Sequence, residues 1–231
     1  QYLKLLASER PLDPETRIVV AGDVTLPKGT KALPACQTVF AGKLDARGTR
    51  LERFDAEVAG LADFEGVKTL REFGPNARFH GALDARDTAI EGFDAEVKGV
   101  ADFGGASALR GFGPNARFGN YLDARGTALE RFDSAVDGAA DFDGVSTLRE
   151  FGPNAKFGGW LYARGTSIER FDAEVKGGVD FRDVRTLREI GPNARFGGKL
   201  DVSGSALERF ATPVEGAADF FGCESLREIG P

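Results

Sequence analysis

Short triplets of apolar, polar and apolar residues recur along the chain and define its predicted secondary structure. Leu44-Asp45-Ala46 is one form of the triplet, and Ala62-Asp63-Phe64 is a second, related form. Such alternation is typical of a short β-strand with one face buried in a core. Turn residues (Gly, Pro and Asn) recur between the triplets, leaving no room for a helix of about 10 residues. The pattern predicts many short strands joined by tight turns.

The triplets form a regular repeat. The first form returns every 39 residues, at Leu44, Leu83, Leu122, Leu161 and Leu200, and the second form lies between its copies, at Ala62, Ala101, Ala140, Val179 and Ala218. The aspartates of successive triplets are therefore separated by alternating steps of 18 and 21 residues, and Asp23 fits as an irregular first member. Self-similarity at a fixed period indicates a solenoid, here of about eleven coils.

The repeat also predicts the domain organisation. Residues 18–231 form the solenoid, and residues 1–17 fall outside the register and are expected to cap its apolar N-terminal end. The chain stops in mid-coil, so a C-terminal cap is apparently missing. A solenoid needs a polar terminal cap for solubility, which predicts a longer parent protein.

Two alternations explain why the period is doubled. Large and small inward residues alternate from coil to coil, as in Leu44/Ala46 and then Ala62/Phe64, so that stacked layers interdigitate. Two neighbouring charge columns alternate in sign as well. One column reads Glu52, Arg71, Glu91, Arg110, Glu130, Arg149, Glu169, Arg188, Glu208, Arg227, and the other reads Arg53, Glu72, Gly92, Gly111, Arg131, Glu150, Arg170, Glu189, Arg209, Glu228. These columns predict ion pairs between successive coils that fix the register.

We call the coils with the first triplet form odd and those with the second form even. The odd coils resemble short leucine-rich repeats of bacterial proteins. The residues Leu44-Asp45-Ala46-Arg47-Gly48-Thr49-Arg50-Leu51 follow the LxLxxNxL pattern, and Leu33-Pro34 is similar to the LP of such repeats. The resemblance implies a right-handed coil with one parallel sheet and short turns on the other side. Two features depart from the family. The asparagine position holds Thr49 or its equivalents in odd coils and apolar residues in even coils, and coils of 18 residues are shorter than the usual 20 to 29 or so. A parallel β-helix is therefore the alternative architecture.

Composition excludes several kinds of function. Lys and Arg number 30 against 36 Asp and Glu, a net charge of −6, whereas a nucleic-acid binder needs a basic surface. No apolar run reaches the roughly 20 residues of a membrane span. One histidine, His80, and two distant cysteines, Cys36 and Cys223, cannot form a Cys/His zinc site or a disulfide. We predict no catalytic residues, no metal and no cofactor. The residues indicate a soluble protein but do not choose between the cytoplasm and secretion.

The aspartate column is the first candidate for chemistry. The aspartates should point away from the core, in a file with about 4.8 Å between neighbours, where their charges repel. Cation coordination is one interpretation. The favoured one is neutralisation by the arginines two residues after the aspartate position, Arg47, Arg86, Arg125, Arg164 and Arg182. Paired carboxylates for glycoside hydrolysis are disfavoured because the acids repeat along the whole chain instead of forming one distinct pair.

An aromatic patch interrupts this column. Trp160, the only tryptophan, and Tyr121 lie two residues before the aspartate position, and Tyr162 replaces the aspartate of the Trp160 coil. With Ala139 between them, Tyr121 and Trp160 are expected to form a slot. Tyrosine and tryptophan are enriched at binding hot spots, so the predicted recognition patch comprises Tyr121, Trp160, Tyr162, Asp123, Asp141, Arg125 and Arg164.

The predicted function is a non-enzymatic scaffold that binds a protein partner through its exposed parallel sheet. The leucine-rich-repeat resemblance implies this function, whereas the spacing alone indicates only the solenoid and the aromatic patch. The alternative is a carbohydrate-binding or carbohydrate-active β-helix, in which Trp160 and Tyr121 stack on sugar rings. A third hypothesis is that the chain is a purely structural spacer or assembly segment. The partner, the oligomeric state and any flanking domains are not predicted.

Overall fold

The computed structural model describes residues 13–230, which form a β-solenoid of stacked coils. In each full coil the chain passes through three short parallel strands, one in each of three sheets that we call A, B and C. Sheet A consists of Arg17–Val20, Gln37–Phe40, Glu57–Val58, Arg78–Phe79, Glu96–Val97, Arg117–Phe118, Ala135–Val136, Lys156–Phe157, Glu174–Val175 and Arg195–Phe196. Sheet B consists of Val24–Thr25, Leu44–Asp45, Ala62–Asp63, Leu83–Asp84, Ala101–Asp102, Leu122–Asp123, Ala140–Asp141, Leu161–Tyr162, Val179–Asp180, Leu200–Asp201 and Ala218–Asp219.

Sheet C is interrupted into four hydrogen-bonded segments. They are Arg53–Phe54 with Glu72–Phe73, Gly92–Phe93 with Gly111–Phe112, Arg131–Phe132 with Glu150–Phe151, and the group Arg170–Phe171, Glu189–Ile190, Arg209–Phe210 and Glu228–Ile229. The predicted mainly-β repeat solenoid is confirmed. Of the two cross-sections left open by the sequence, strands on three sides fit the parallel β-helix, whereas the leucine-rich-repeat form has one sheet opposite turns. Within the described residues no helix has the length and apolar character to cross a membrane.

The predicted packing of large against small residues is confirmed by the strand register. Leu44 pairs with Ala62, and Ala62 pairs with Leu83 on its other side. These inward residues are almost completely buried, as are Ala46 and Phe64. The alternation therefore fills the core without placing two bulky side chains at the same level.

The abundance of phenylalanine has a structural cause. Rings contributed by sheets A and C stack along the solenoid axis, for example Phe54 on Phe79 with centroids 6.2 Å apart and Phe79 on Phe93 at 6.2 Å. A phenylalanine from the turn after sheet B meets this column edge-on, as Phe64 does with Phe54 at 4.8 Å. Stacked and edge-to-face pairs of this kind stabilise the core beyond simple burial.

Glycines recur at the corner between sheets A and B because successive backbones nearly touch there. A Cβ atom on Gly81 would lie closer to the carbonyl oxygen of Gly60 than real Cβ atoms ever approach. The turn after sheet B has a different requirement, a positive φ, which Gly48 adopts at 73° and Asp87 tolerates at 56° in the equivalent position. Backbone geometry at two corners thus accounts for much of the glycine content.

The predicted charge ladder lies on the surface of sheet C and at its edge. Arg53 contacts Glu72 at 2.8 Å and Arg71 contacts Glu91 at 3.1 Å, each pair joining successive coils. The same pattern continues between Arg170 and Glu189 at 3.3 Å. Each exposed pair contributes modestly, but a slip of one coil would oppose like charges, as the sequence predicts.

The first coil differs from the prediction. Thr25, and not Asp23, pairs with Asp45 in sheet B. The Asp23 carboxylate instead accepts a hydrogen bond from the backbone N–H of Lys43 at 2.8 Å, at the corner before the strand. The expected N-terminal cap, residues 1–17, lies mostly outside the described residues and stays a prediction.

Candidate functional site

The aspartates of sheet B point outward in one file, and each carboxylate closes the turn that follows its strand. In Asp45 the Oδ1 atom accepts the backbone N–H of Arg47 at 3.0 Å, and in Asp102 it accepts the N–H of Gly104 at 2.9 Å. The same bond recurs at Asp63, Asp84, Asp123, Asp141, Asp180, Asp201 and Asp219. Asparagine and aspartate commonly cap turns in this way. The sequence reasoning missed this role, which explains the aspartates even in coils without arginine.

Arginine also neutralises the file, as predicted. Arg47 holds Asp45 with two hydrogen bonds, at 3.0 and 2.9 Å, and its Nε atom lies 3.1 Å from Asp63 in the next coil. Arg125 makes the same two-pronged contact with Asp123 and reaches Asp141 at 3.4 Å. Each such guanidinium therefore bridges two coils.

Asp45 differs in acidity from three aspartates of the file that lack an arginine two residues later. The hydrogen bond from Arg47 lowers the pKa of Asp45, whereas burial raises the pKa of Asp63, Asp102 and Asp141. These three aspartates have no arginine of their own two residues later, and among the described residues the only guanidinium that reaches each of them is that of the preceding coil, at 3.1 to 3.5 Å. Desolvation is therefore less fully offset in them.

Tyr162 breaks the file, and a second departure compensates for it. A tyrosine lacks the carboxylate that would accept the backbone N–H of Arg164. Asp143 of the preceding coil supplies it, because its Oδ1 atom accepts that N–H at 2.9 Å. The Arg164 guanidinium also turns to Asp143, with its Nε atom at 2.8 Å. The Asp143 position is held by Glu65 and Gly104 in earlier even coils, and the sequence reasoning did not single it out.

Trp160 and Tyr162 form an exposed aromatic platform on sheet B. Their rings stack with centroids 5.8 Å apart and an interplanar angle of 15°. The indole lies across Gly178 in the following coil, where a Cβ atom would be 2.5 Å from Cη2 and 2.8 Å from Cε3. Gly178 therefore makes room for the indole, and Trp160 keeps 42% of its surface exposed.

Tyr121 joins this platform through Asp141. Its hydroxyl donates a 3.3 Å hydrogen bond to Oδ2 of Asp141, which is the register neighbour of Tyr162. Burial, followed by the charges of Asp141 and Asp123, raises the pKa of Tyr121, so the hydroxyl stays protonated and can donate. The indole lies over Gly178 and stacks on Tyr162, so the structure shows a file of Tyr121, Asp141, Tyr162 and Trp160, whereas the sequence predicts a slot between Tyr121 and Trp160.

The position of the patch sets it apart from the exposed apolar residues of the terminal coils. Among the described residues, the large apolar side chains that are most exposed are Val19, Val100, Trp160, Phe221 and Ile229. Val19, Phe221 and Ile229 belong to the terminal coils, whereas Trp160 lies well inside sheet B. The structure thus brings together Tyr121, Trp160, Tyr162 and Asp141, with Asp123 and Arg125 beside Tyr121 and Arg164 held on Asp143.

Three carboxylates, those of Asp63, Glu65 and Asp84, approach closely enough to share a cation. Arginines already occupy this region, since Arg86 lies 2.6 Å from Asp84 and 3.5 Å from Glu65. The geometry therefore favours neutralisation of the aspartates by arginine over coordination of a cation.

The histidine and cysteines lie apart from the patch. His80 is exposed, as predicted for a turn, and its Nε2 atom lies 2.9 Å from Glu57. The Cys223 thiol is partly buried and donates to the carbonyl oxygen of Val202 at 3.1 Å. Neither contact brings a nucleophile and a base together.

Comparison of the chain with protein-family models, with curated proteins and with solved structures gave no match.

Proposed function

We propose that the chain is a non-enzymatic scaffold that binds a protein partner on sheet B, with Trp160 and Tyr162 as its anchors. One observation carries the proposal. An exposed indole stacks on a half-buried phenol in the interior of a sheet, and the position of the phenol is held by an aspartate in the neighbouring coils. Large aromatic surface left in contact with water is the usual centre of a protein-binding hot spot.

The surroundings of the anchors suit recognition. Tyr121 and Asp141 offer a hydroxyl and a carboxylate at the rim, and Arg164 is turned aside onto Asp143. Polar groups at a rim contribute mainly to orientation and to the rate of association. Because the backbone is held in a continuous parallel sheet, the anchors are preorganised and lose little conformational freedom on binding.

The proposal includes the relationship suggested by the sequence. We take strings such as Leu44–Leu51 as short bacterial leucine-rich-repeat-like motifs that here close into a β-helix. The resemblance implies binding through an exposed parallel sheet. Sheet B is the corresponding surface, because it contains the leucine-aspartate strands.

Binding is favoured over catalysis by the state of the carboxylates. The aspartates near the patch, Asp123 and Asp141, accept turn N–H groups and contact Arg125, as the aspartates of other coils do with their own arginines. A catalytic acid and base should be distinguished from their neighbours by their environment.

The test is a selection of ligands on the immobilised chain from a phage-displayed library of random peptides. Calorimetry then compares the selected peptides on wild type and on the double variant Trp160→Ala/Tyr162→Ala. Removing hot-spot aromatics costs about 2 kcal/mol or more, so we expect affinity to fall by roughly 30-fold. The free energy of unfolding should fall by only about 1 kcal/mol, because both rings lie on the surface.

Two further variants sharpen the test. Gly178→Ala leaves the aromatic residues in place but displaces the indole, so it should weaken binding like the double variant. Val100→Ala removes an exposed apolar side chain from the same column three coils earlier and should leave affinity unchanged. Peptides that bind the double variant as tightly as wild type would contradict the proposal.

The second candidate function is carbohydrate binding, and the exposed face of the indole favours it over a purely structural role. A flat ring lying over a glycine is accessible to the apolar face of a sugar. A glycan array separates protein binding from carbohydrate binding. Glycan binding that is lost in Trp160→Ala, without any peptide ligand, would replace the protein-binding proposal.

A further inference from the structure

The charge ladder of sheet C has one gap. Where the alternation calls for Arg and then Glu, the chain has Gly92 and Gly111, which pair with each other in register. On one side of the gap stands Glu72, and on the other stands Arg131. Two coils in succession thus lack an outward side chain at this position of the strand.

The backbone does not require glycine at either position. A Cβ atom on Gly111 would meet nothing within 4 Å, and one on Gly92 would lie 3.7 Å from the nearest atom, an ordinary contact. Neither residue has a positive φ. Glycine weakens a strand and often marks a place where a ligand or another backbone approaches closely. The pair is therefore best explained by something that packs on it.

The gap is also the meeting point of two grooves, of about 770 and 800 Å³, which share Gly111, Phe112 and Gly113. Phe73 and Phe112 are only partly buried there, and their rings flank Phe93 at 5.5 and 6.3 Å. The floor is thus apolar, while the rims carry the charges of the ladder. This combination is typical of an interaction surface with an apolar centre and a polar rim.

The order of charges along the ladder indicates which partner fits this surface. We propose that a second copy of the chain packs antiparallel on sheet C, about a twofold axis that passes between Gly92 and Gly111 along the strand direction. Such an axis turns each column onto itself in reverse order, so Glu72 faces Arg131 of the second copy. By the same operation Arg53 faces Glu150, and in the neighbouring column Glu91 faces Arg110. Every facing pair is opposite in sign, and the glycines meet at the centre.

The self-complementarity follows from the alternation. An axis between adjacent coils exchanges odd with even coils, and hence Arg with Glu, whereas an axis through a coil would oppose like charges. The glycine gap selects one such axis, because it is the place where the two backbones can approach most closely. A self-complementary patch of this kind gives an isologous, closed dimer.

The interface is small, and its rim is charged around the apolar centre. From Arg53 to Glu150 it spans six coils, or about 24 Å at the usual strand spacing. An interface of this size between charged surfaces gives a weak dimer, and its rim pairs are screened by salt. The dimer should therefore depend on concentration and weaken as ionic strength rises. Sheet B lies on another side of the coil, so its aromatic platform stays accessible.

Sedimentation equilibrium of the full chain tests the proposal. Wild type should dimerise reversibly, with weaker association at high salt. The variant Gly92→Gln/Gly111→Gln fills the gap with two uncharged side chains and adds no charge pair across the axis, so we expect its dissociation constant to rise by at least tenfold. Its thermal melt should match wild type because both Cβ positions are open. A wild-type chain that stays monomeric at every accessible concentration, or a filled variant that dimerises normally, overturns the proposal.

A charge swap tests the proposed register. Arg131→Glu and Glu72→Arg should each weaken the dimer, because each opposes like charges across the axis. Combining the two substitutions should restore association, since the new arginine of each copy would then face the new glutamate of the other. Arg209→Glu, which lies beyond the predicted contact, is the matched control and should associate like wild type. Failure of the double swap to recover any association contradicts this register.

Discussion

Asp143 and Tyr162 show how single departures from a repeat can be linked. Tyr162 removes the carboxylate that closes the turn in other coils, and Asp143 supplies a replacement from the coil before. The exchange leaves the backbone bonded and frees one position of the file for an aromatic ring. Any aromatic residue at position 162 needs such a compensation, because the backbone N–H of Arg164 would otherwise lose its acceptor.

Carboxyl acidity should differ between Asp45 and the aspartates Asp102 and Asp141. A lowered pKa, as in Asp45, stabilises the fold above the ordinary value of 3.8, and that contribution is lost as the pH falls through the folded pKa. A raised pKa, as in Asp102 and Asp141, has the opposite sign. Its contribution is present below 3.8 and is lost as the pH rises through the folded pKa.

Carboxyl-carbon NMR titration of the folded chain checks this difference. As the pH falls from neutrality, we expect Asp102 and Asp141 to protonate first and Asp45 last. The control is Arg47→Gln, which removes the guanidinium and should raise the pKa of Asp45 toward those of Asp102 and Asp141. Protonation of Asp45 at a higher pH than Asp102 would show that the arginine contacts do not determine the acidities.

At the scale of an element, the corner between sheets C and A depends on a second aspartate column. Asp94 accepts the backbone N–H of Asn115 at 2.6 Å and its side-chain amide at 3.0 Å. The same pair of bonds joins Asp55 to Asn76 and Asp172 to Asn193, always from one coil to the coil that follows. These bonds connect the recurring Phe-Asp and Gly-Pro-Asn strings.

Asp94→Ala should therefore destabilise the chain. It removes two hydrogen bonds to a carboxylate at a corner, and we expect a loss of about 1.5 to 3 kcal/mol in the free energy of unfolding, measured by denaturant titration. Asp137→Ala, at an exposed aspartate on another corner, is the control and should change stability by about 0.5 kcal/mol or less. If the two variants lower the free energy of unfolding equally, the Asp94–Asn115 hydrogen bonds do not stabilise the corner.

Sequence reasoning succeeded where a contact repeats in every coil. The columns containing Leu44 and Phe64, and the ladder containing Arg53 and Glu72, follow from the period because stacking places equivalent residues next to each other. It failed where a contact joins different columns. The Asp94–Asn115 bonds and the support of Trp160 by Gly178 depend on which corner of one coil overlies which corner of the next. The number of strands per coil was also left open, since a two-residue strand and a turn have similar composition.

At the scale of the whole molecule, the solenoid presents distinct surfaces on different sides of each coil. Sheet B carries the aromatic platform, and sheet C carries the ladder with its glycine gap. Each coil contacts mainly its neighbours, so substitutions on one face should leave the other face intact. Binding on sheet B and self-association on sheet C are therefore separable by mutation.

The single tryptophan gives the most direct measurement of the central claim, that the platform is the binding site. Trp160 is half exposed, and all tryptophan emission of the chain comes from it. When a selected peptide ligand is added to saturation, as judged by calorimetry, the account predicts a blue shift of the emission and protection from iodide quenching. Saturation with emission and quenching unchanged would contradict the claim, because the partner would then be bound elsewhere on the solenoid.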